Sequence, residues 1–346
     1  YYGNCTFDDN VTAGAALYLL RFYRTTLEAA YRGPVLKALE FVLQSQYPNG
    51  AWPQRYPLRY EFAHHGFPDY TAYYTLNDGV HANNVHLLVE AYETLGDQRY
   101  LDAAQRAADV LLALQGPEGE AGWAEQHGYD MRPVAARTHE PAGYVIRESR
   151  DAIRVLEHFY LRTGDRRYLD AVRRCLAWFE RVNREAIAQQ YPIPRYWEPG
   201  TNKPLYVVAT GETYPDGYGI QKWTTTPEGR ALSSPRATPE KPVVDVAGLR
   251  RELDAIAALD TKGAREAWLA ERAAARRAPR PVDPAAVDAA LRGLDARGAW
   301  VTDDVAVHKP VTEGFMSGDR ENVRAIATPV FVRHMSALID FVRSGR

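Results

Sequence analysis

GDQRYLDA at residues 96–103 and GDRRYLDA at residues 164–171 are two copies of one sequence, 68 residues apart. Each joins one helical pattern to the next. The glycine suits the left-handed residue that ends a helix, and the aspartate can cap the helix that follows. Each copy therefore predicts an αα-hairpin. Residues 80–95 and 99–114 read as one hairpin, and 148–162 and 166–184 as another. Upstream, residues 11–31 and 33–46 read as two more helices, with Gly33-Pro34 opening the second. Leu36, Leu39, Val42 and Leu43 share one face of it. Tyr31 and the helix after it read as a worn third copy of the repeat.

The connections repeat as well. GAWPQ at 50–54 and GWAEQ at 122–126 each follow an amphipathic helix, carry a tryptophan and end in glutamine. Three hairpins whose long connections begin at matching points predict an all-α (α/α) toroid or incomplete barrel. Its long loops gather on one face and form a cleft. No stretch alternates cleanly enough to propose a large sheet. After residue 230 the composition changes. Residues 233–242, SSPRATPEKP, read as loop, and helices are expected at 249–278, 284–294 and 322–343. The division expected is 1–230 for the toroid core and its cleft, and 231–346 for an additional helical segment packed on the same core.

The chain has 346 residues, with 42 Lys and Arg against 44 Asp and Glu, a net charge of −2. That excludes a basic groove over the whole molecule and argues against nucleic acid as a partner. Its two cysteines, Cys5 and Cys175, exclude a disulfide scaffold and a thiolate metal site, and Cys175 reads as a buried free thiol. No run of apolar residues is long enough to span a membrane. The chain starts at Tyr1 without an initiator methionine, and a secreted or periplasmic monomer is the expectation.

Four clusters carry candidate chemistry. Residues 49–66 place Trp52, Gln54, Arg55, Tyr56, Arg59, His64 and His65 on one loop. Aromatic rings beside arginines suit an acidic sugar: the ring stacks on the sugar face and the guanidinium forks onto the carboxylate. Packing of the loop onto the helix ends, or a metal on His64 and His65, are the competing readings. Residues 75–92 carry Asn77 and Asp78 at a loop-to-helix junction, suited to capping or to a hard cation with oxygen ligands. Residues 122–141 offer Glu125, His127, Asp130, Arg132, Arg137, His139 and Glu140 beside the first cluster. Residues 195–206 interleave Arg195 and Lys203 with Tyr196 and Trp197, and Lys222 follows.

In this order the clusters resemble the family 10 pectate lyases. The family segments TFDN-AT, AQYPNGGWPQ-YPL, TFND, AWC-QHD, AR-YE and ARFYDLETNRP meet TFDDNVT (6–12), SQYPNGAWPQRYPL (45–58), TLNDGV (75–80), GWAEQH (122–127), AARTHEP (135–141) and RYWEPGTNKP (195–204). The resemblance covers about residues 5–205. It implies an (α/α)₃ toroid, dependence on Ca²⁺, and cleavage of polygalacturonate by β-elimination. It places the family aspartate on Asp78 after Asn77, the family arginine on Arg195, and the basic residue of TNRP on Lys203. The WPQ-YP block falls on Trp52, Gln54 and Tyr56. Two departures stand out: the family aspartate after Gln-His meets Gly128, and the later GRDG and ERR-GY segments have no clear counterpart.

The expectation is therefore an acidic polysaccharide bound in the cleft. Arg195 and Arg137 neutralise charge or act as base, with Asp78 also catalytic. Asp78 and Asp130 hold Ca²⁺. Trp52, Gln54, Arg55, Tyr56, Asn77, His127, Trp197, Lys203 and Lys222 bind substrate. Chemistry alone favours a histidine or tyrosine base, because an arginine holds its proton too firmly. Two alternatives stay open: a glycoside hydrolase for acidic oligosaccharides using two carboxylates, and a non-catalytic acidic-glycan-binding protein on the same toroid.

Overall fold

Both GD turns form the caps their sequences encode. Gly96 and Gly164 take left-handed φ of 73° and 76°. Asp97 then accepts from the Arg99 N–H at 3.0 Å, and Asp165 from the Arg167 N–H at 2.9 Å. A computed structural model describes residues 4–58, 65–215, 217–277, 283–311 and 315–344. Its first six helices are α1 (Val11–Thr26), α2 (Ala29–Ser45), α3 (Val80–Leu95), α4 (Gln98–Leu114), α5 (Ile146–Thr163) and α6 (Arg166–Gln189). They form three hairpins, with α1 packed on α3 and α3 on α5. The result is an open (α/α) toroid.

The first hairpin turns earlier than its sequence suggests. Leu27, with φ of 56°, stands where the other copies have glycine, and Glu28 stands where they have aspartate. Gly33-Pro34 consequently lies inside α2 instead of opening it. Glu28 makes no capping hydrogen bond. Asp165→Ala is therefore expected to lower stability by about 1 kcal/mol, and Glu28→Ala to change it by no more than about 0.5 kcal/mol, in denaturant melts. Equal losses at the two sites would contradict this account of the turns.

The repeated tryptophans, and a glutamine just past the end of α2 and of α4, hold the hairpins together. Gln46 Nε2 donates to Gly50 O and Ala103 O, both at 2.9 Å. Gln115 Nε2 does the same to Ala121 O (3.1 Å) and Ala171 O (2.8 Å). Each glutamine thus ties the end of one outer helix to the next. The indoles of Trp52 and Trp123 donate to Val42 O and Leu111 O at 3.0 and 2.8 Å. The core between the helices is aliphatic and aromatic, with Leu20, Leu39, Leu88, Leu111, Ile153, Phe159 and Phe179 essentially sealed from water. Each such side chain contributes about 1.5–3 kcal/mol by burial.

The connections leave α2, α4 and α6 at the ends opposite the tight turns, so they gather on one face. Short antiparallel strands order them there. Cys5–Thr6 pairs with Arg55–Tyr56, and Tyr74–Thr75 with Gln126–His127. A five-stranded sheet runs Trp123–Ala124, Tyr144–Val145, Tyr196–Trp197, Pro204–Thr213, Gly219–Thr224. Its last two strands form a hairpin that the sequence pattern did not announce, because only two of their positions, Leu205 and Tyr206, are buried.

By its contacts the chain divides into two compact units, Tyr1–Trp268 and Leu269–Arg346. Helix α7 (Val246–Ala257) packs on α6 within the first unit, and α8 (Lys262–Arg277) follows. The second unit holds α9 (Pro284–Arg292), α10 (Thr328–Arg343) and a β-hairpin, Thr302–Val311 with Phe315–Ala325. The end of its second strand, residues 322–325, stands where the sequence suggested the start of the last helix. Cys5 is free and exposed, and Cys175 is free and buried. Among the described residues no helix is long and apolar enough to cross a membrane.

Candidate active site

The site begins with a turn used twice. After strand Cys5–Thr6, residues Asp8–Asn10 make a short helical turn into α1; after Tyr74–Thr75, residues Asn77–Gly79 do the same into α3. Asp9 and Asp78 sit at φ of 50° and 51°. Aspartate and asparagine tolerate this left-handed region better than other side chains carrying a Cβ. The two turns bring Asp8, Asp9 and Asp78 together, with one carboxylate oxygen of each within 4.8 Å of the others. Asp8 Oδ1 is buried and has no hydrogen-bond partner among the described residues. Burial, with Asp78 and Asp9 adding to it, raises the Asp8 pKa despite a hydrogen bond from Gln54. An orphaned buried oxygen among crowded carboxylates fits a hard cation.

Three Arg–Glu pairs adjoin this group. The Arg147 guanidinium donates to Asn77 Oδ1 at 2.8 Å, to Asp78 Oδ1 at 3.2 Å and to Glu148 Oε1 at 2.7 Å. Asn77 Nδ2 reaches Glu140 Oε1 at 3.5 Å. Glu140 in turn accepts from Arg137 Nε at 2.7 Å, and Arg137 lies over the Tyr70 ring. Arg195 pairs with Glu125, which also accepts from the Tyr196 hydroxyl at 2.9 Å. The Glu125 side chain is 2 % exposed and that of Arg195 52 %. The glutamates are anchors below the surface, and the guanidinium heads are what the cleft presents.

The electrostatics follow from that layering. Burial pushes the Glu125 carboxyl up to about 7 against the pull of Arg195. Burial also raises Glu148, opposed by Arg147. For Arg137 and Arg195 burial opposes the charge, but Glu140 and Glu125 outweigh it, so both hold their protons above the ordinary arginine value. His139 Nδ1 lies 3.0 Å from the Tyr218 hydroxyl. Burial, with Arg137 and Arg195 adding, lowers its pKa below 6.5, while Glu140 works the other way.

Several expected site residues have other places. Trp52 and Trp197 are fully covered, so neither ring offers a face to a sugar. Trp197 instead packs edge-on to Trp178. His127 is sealed in the strand beside Tyr74, and burial lowers its pKa to about 3. Gln54 is buried and serves Asp8. Tyr56 packs edge-on to Phe41, and Arg55 pairs along the strand with Thr6. Lys203 is exposed on the turn after Trp197, and Lys222 is tied to Glu228 at 3.0 Å.

Asp130 does not join Asp78. Its Oδ1 folds back to accept from the Arg132 N–H at 3.2 Å, and Asp8 and Asp9 take the place expected for it. A Cβ at Gly128 would lie 3.0 Å from Asp130 Oδ1 and 3.1 Å from Val134 Cγ1, so this turn has little room for the family aspartate either. Arg59 and His64 lie outside the described residues; His65 stacks on Tyr214 with centroids 3.9 Å apart. Sequence reasoning missed Asp8, Asp9, Arg147 and Glu148. The likeness of TFDDNV (6–11) to TLNDGV (75–80) was the available signal for the first two.

Comparisons with known proteins agree with this architecture. A solved point mutant of the Family 10 polysaccharide lyase from Cellvibrio cellulosa, in complex with trigalacturonic acid, is 20 % identical with a TM-score of 0.51, covering 72 % of this chain and 82 % of that one. That likeness shows the fold. Another structure of the Family 10 polysaccharide lyase from Cellvibrio cellulosa is 25 % identical with a TM-score of 0.46, covering 59 % of this chain and 65 % of that one. The chain thus spans just under two thirds of that lyase. A cellobiose 2-epimerase from Spirochaeta thermophila matches at 15 % identity and a TM-score of 0.41, over 60 % of this chain and 50 % of that one. No curated protein sequence matches. The family model described as pectic acid lyase matches residues 2–210, the stretch that contains all three hairpins and the whole charged cleft, and the chain belongs to that family.

Proposed function

We propose that this protein cleaves a uronic-acid-containing polysaccharide of the polygalacturonate kind by calcium-assisted β-elimination. One observation carries the reading: an all-oxygen acidic group, Asp8, Asp9 and Asp78, meets a row of glutamate-anchored guanidinium groups in a single set of turns. Family membership, and a fold shared with a lyase solved in complex with trigalacturonic acid, support it.

Asp8, Asp9 and Asp78 would hold the ion. Bound calcium supplies positive charge to the substrate carboxylate and makes the neighbouring C5 hydrogen more acidic. Arg137 and Arg195 grip further carboxylates, and their buried partners fix their orientation in advance. Because both hold their protons firmly, they serve here as charge, not as base. His139 is the base in this reading. It is neutral near pH 7, partly exposed at the cleft, and backed by Tyr218. It takes the C5 proton, the C5–H electron pair becomes the C4=C5 double bond, and the C4–O bond breaks as its oxygen leaves with a proton from water.

A hydrolase would need two accessible carboxylates facing one bond; Asp78 with Asp130, or Glu125, were the candidates, but Asp130 folds back onto its own turn and Glu125 is covered. A polymer substrate of this kind suits a secreted or periplasmic protein. The test is incubation with polygalacturonate and Ca²⁺. Unsaturated sugars should accumulate, detected by ultraviolet absorbance, and chelation should stop them. Because the proposed base works unprotonated and burial lowers its pKa, the rate should fall with acidification at a lower pH than an ordinary histidine base would give. Sugars released without a new double bond would mean hydrolysis. Binding without products would leave a glycan-binding protein.

A further inference from the structure

We propose that Arg147 couples the cation site to an acidic-sugar groove, so that each binds more weakly alone than with the other. The inference rests on the calcium reading above. Arg147 belongs to the third strand-to-helix turn of the toroid. The first two turns place Asp9 and Asp78 in left-handed positions ahead of α1 and α3. The third runs from Tyr144–Val145 straight into α5 and sets Arg147 in the first helical turn. Where the other two turns contribute a carboxylate, this one contributes a guanidinium.

Arg147 belongs to two places at once. Its guanidinium donates to Asn77 Oδ1 at 2.8 Å and Asp78 Oδ1 at 3.2 Å. Arg147 also lines a groove of about 340 Å³ with Arg195, Ile193, Pro194 and Val243. Glu148, sealed beneath, holds Arg147 Nε at 2.7 Å and keeps the charge at this junction. About half of the Arg147 side chain is exposed, 51 %. Two arginines on an otherwise apolar groove suit the carboxylate and the ring face of a uronic acid.

The consequence is competition. Asp78 Oδ1 cannot serve a guanidinium and a divalent cation fully at once, and a unit positive charge at this distance opposes the ion. A uronate carboxylate in the groove gives Arg147 another partner and draws it off Asp78. Calcium binding then strengthens, and by reciprocity calcium strengthens binding of the sugar.

Calorimetric titration of Ca²⁺ into the full chain tests this, for wild type, Arg147→Gln and Arg147→Ala, with and without saturating trigalacturonate. Circular dichroism verifies each fold. Gln keeps hydrogen-bond donors for Asn77 and Glu148 without the charge, so the test survives an alanine variant that does not fold. Without sugar, both variants should bind Ca²⁺ about tenfold more tightly than wild type. The sugar should tighten Ca²⁺ about tenfold in wild type and by less than about twofold in the variants. Detectable binding by the variants alone would also support the proposal. Variants that bind no tighter than wild type overturn it with the calcium reading intact, and so does a wild type indifferent to the sugar. Absence of Ca²⁺ binding in all three proteins overturns both.

Discussion

Asp78→Asn is expected to reduce turnover of polygalacturonate by about a thousandfold while leaving the protein folded. The substitution removes one charge from the group formed with Asp8 and Asp9 and keeps the shape. Asparagine is the right replacement because position 78 is left-handed, at φ of 51°, where asparagine is tolerated and alanine is not. Its amide can still accept from Arg147. The loss should therefore appear in the rate and in calcium affinity, with a melting temperature close to that of wild type. Asp8→Asn should behave alike, because Asp8 Oδ1 has no other partner to lose. Asp130→Asn should leave the rate within about twofold, since its carboxylate folds onto its own turn. Loss of activity at Asp130 with normal activity at Asp78 and Asp8 would refute the site as drawn.

Trp52→Ala is expected to cost about 3–5 kcal/mol of stability. That amounts to a drop on the order of 10 °C in melting temperature for a unit of this size. The indole fills a sealed position, donates to Val42 O at 3.0 Å and packs on His81 with centroids 5.5 Å apart. Its removal opens a cavity and takes one of two side-chain donors from the Val42 carbonyl, which keeps the Ser45 hydroxyl at 2.9 Å. At a temperature where the variant is still folded, KM for an acidic oligosaccharide should be close to the wild-type value. A sugar-stacking tryptophan would show the reverse pattern, an unchanged melt and a raised KM. That outcome would overturn its assignment to the scaffold.

These predictions separate two kinds of legibility. Gly96-Asp97 and Gly164-Asp165 could be read as turns because each cap needs only a left-handed residue and a nearby side-chain acceptor. Trp52 and Trp123 could be recognised as equivalent, but their roles could not. An indole followed by proline, glutamine and arginine looks the same whether it faces a sugar or the end of its own helix. Asp78 was legible as a candidate cation ligand, yet the acids that stand beside it were not. Asp130 is closer in sequence, whereas Asp8 and Asp9 reach Asp78 only because α1 packs on α3. Arg147 carried no mark at all, since an arginine in the first turn of an amphipathic helix is ordinarily a solvated one.

The repeat, its periodicity and its capping residues were enough to determine three helical hairpins with their loops on one face, because those features rest on interactions within a few residues. The tertiary structure alone decided which charges meet. That depends on left-handed φ at two aspartates, on the packing of neighbouring hairpins, and on which glutamate is sealed beneath each arginine. Such energies arise between groups some seventy residues apart (Glu125 with Arg195, Asp78 with Arg147). No local pattern encodes them.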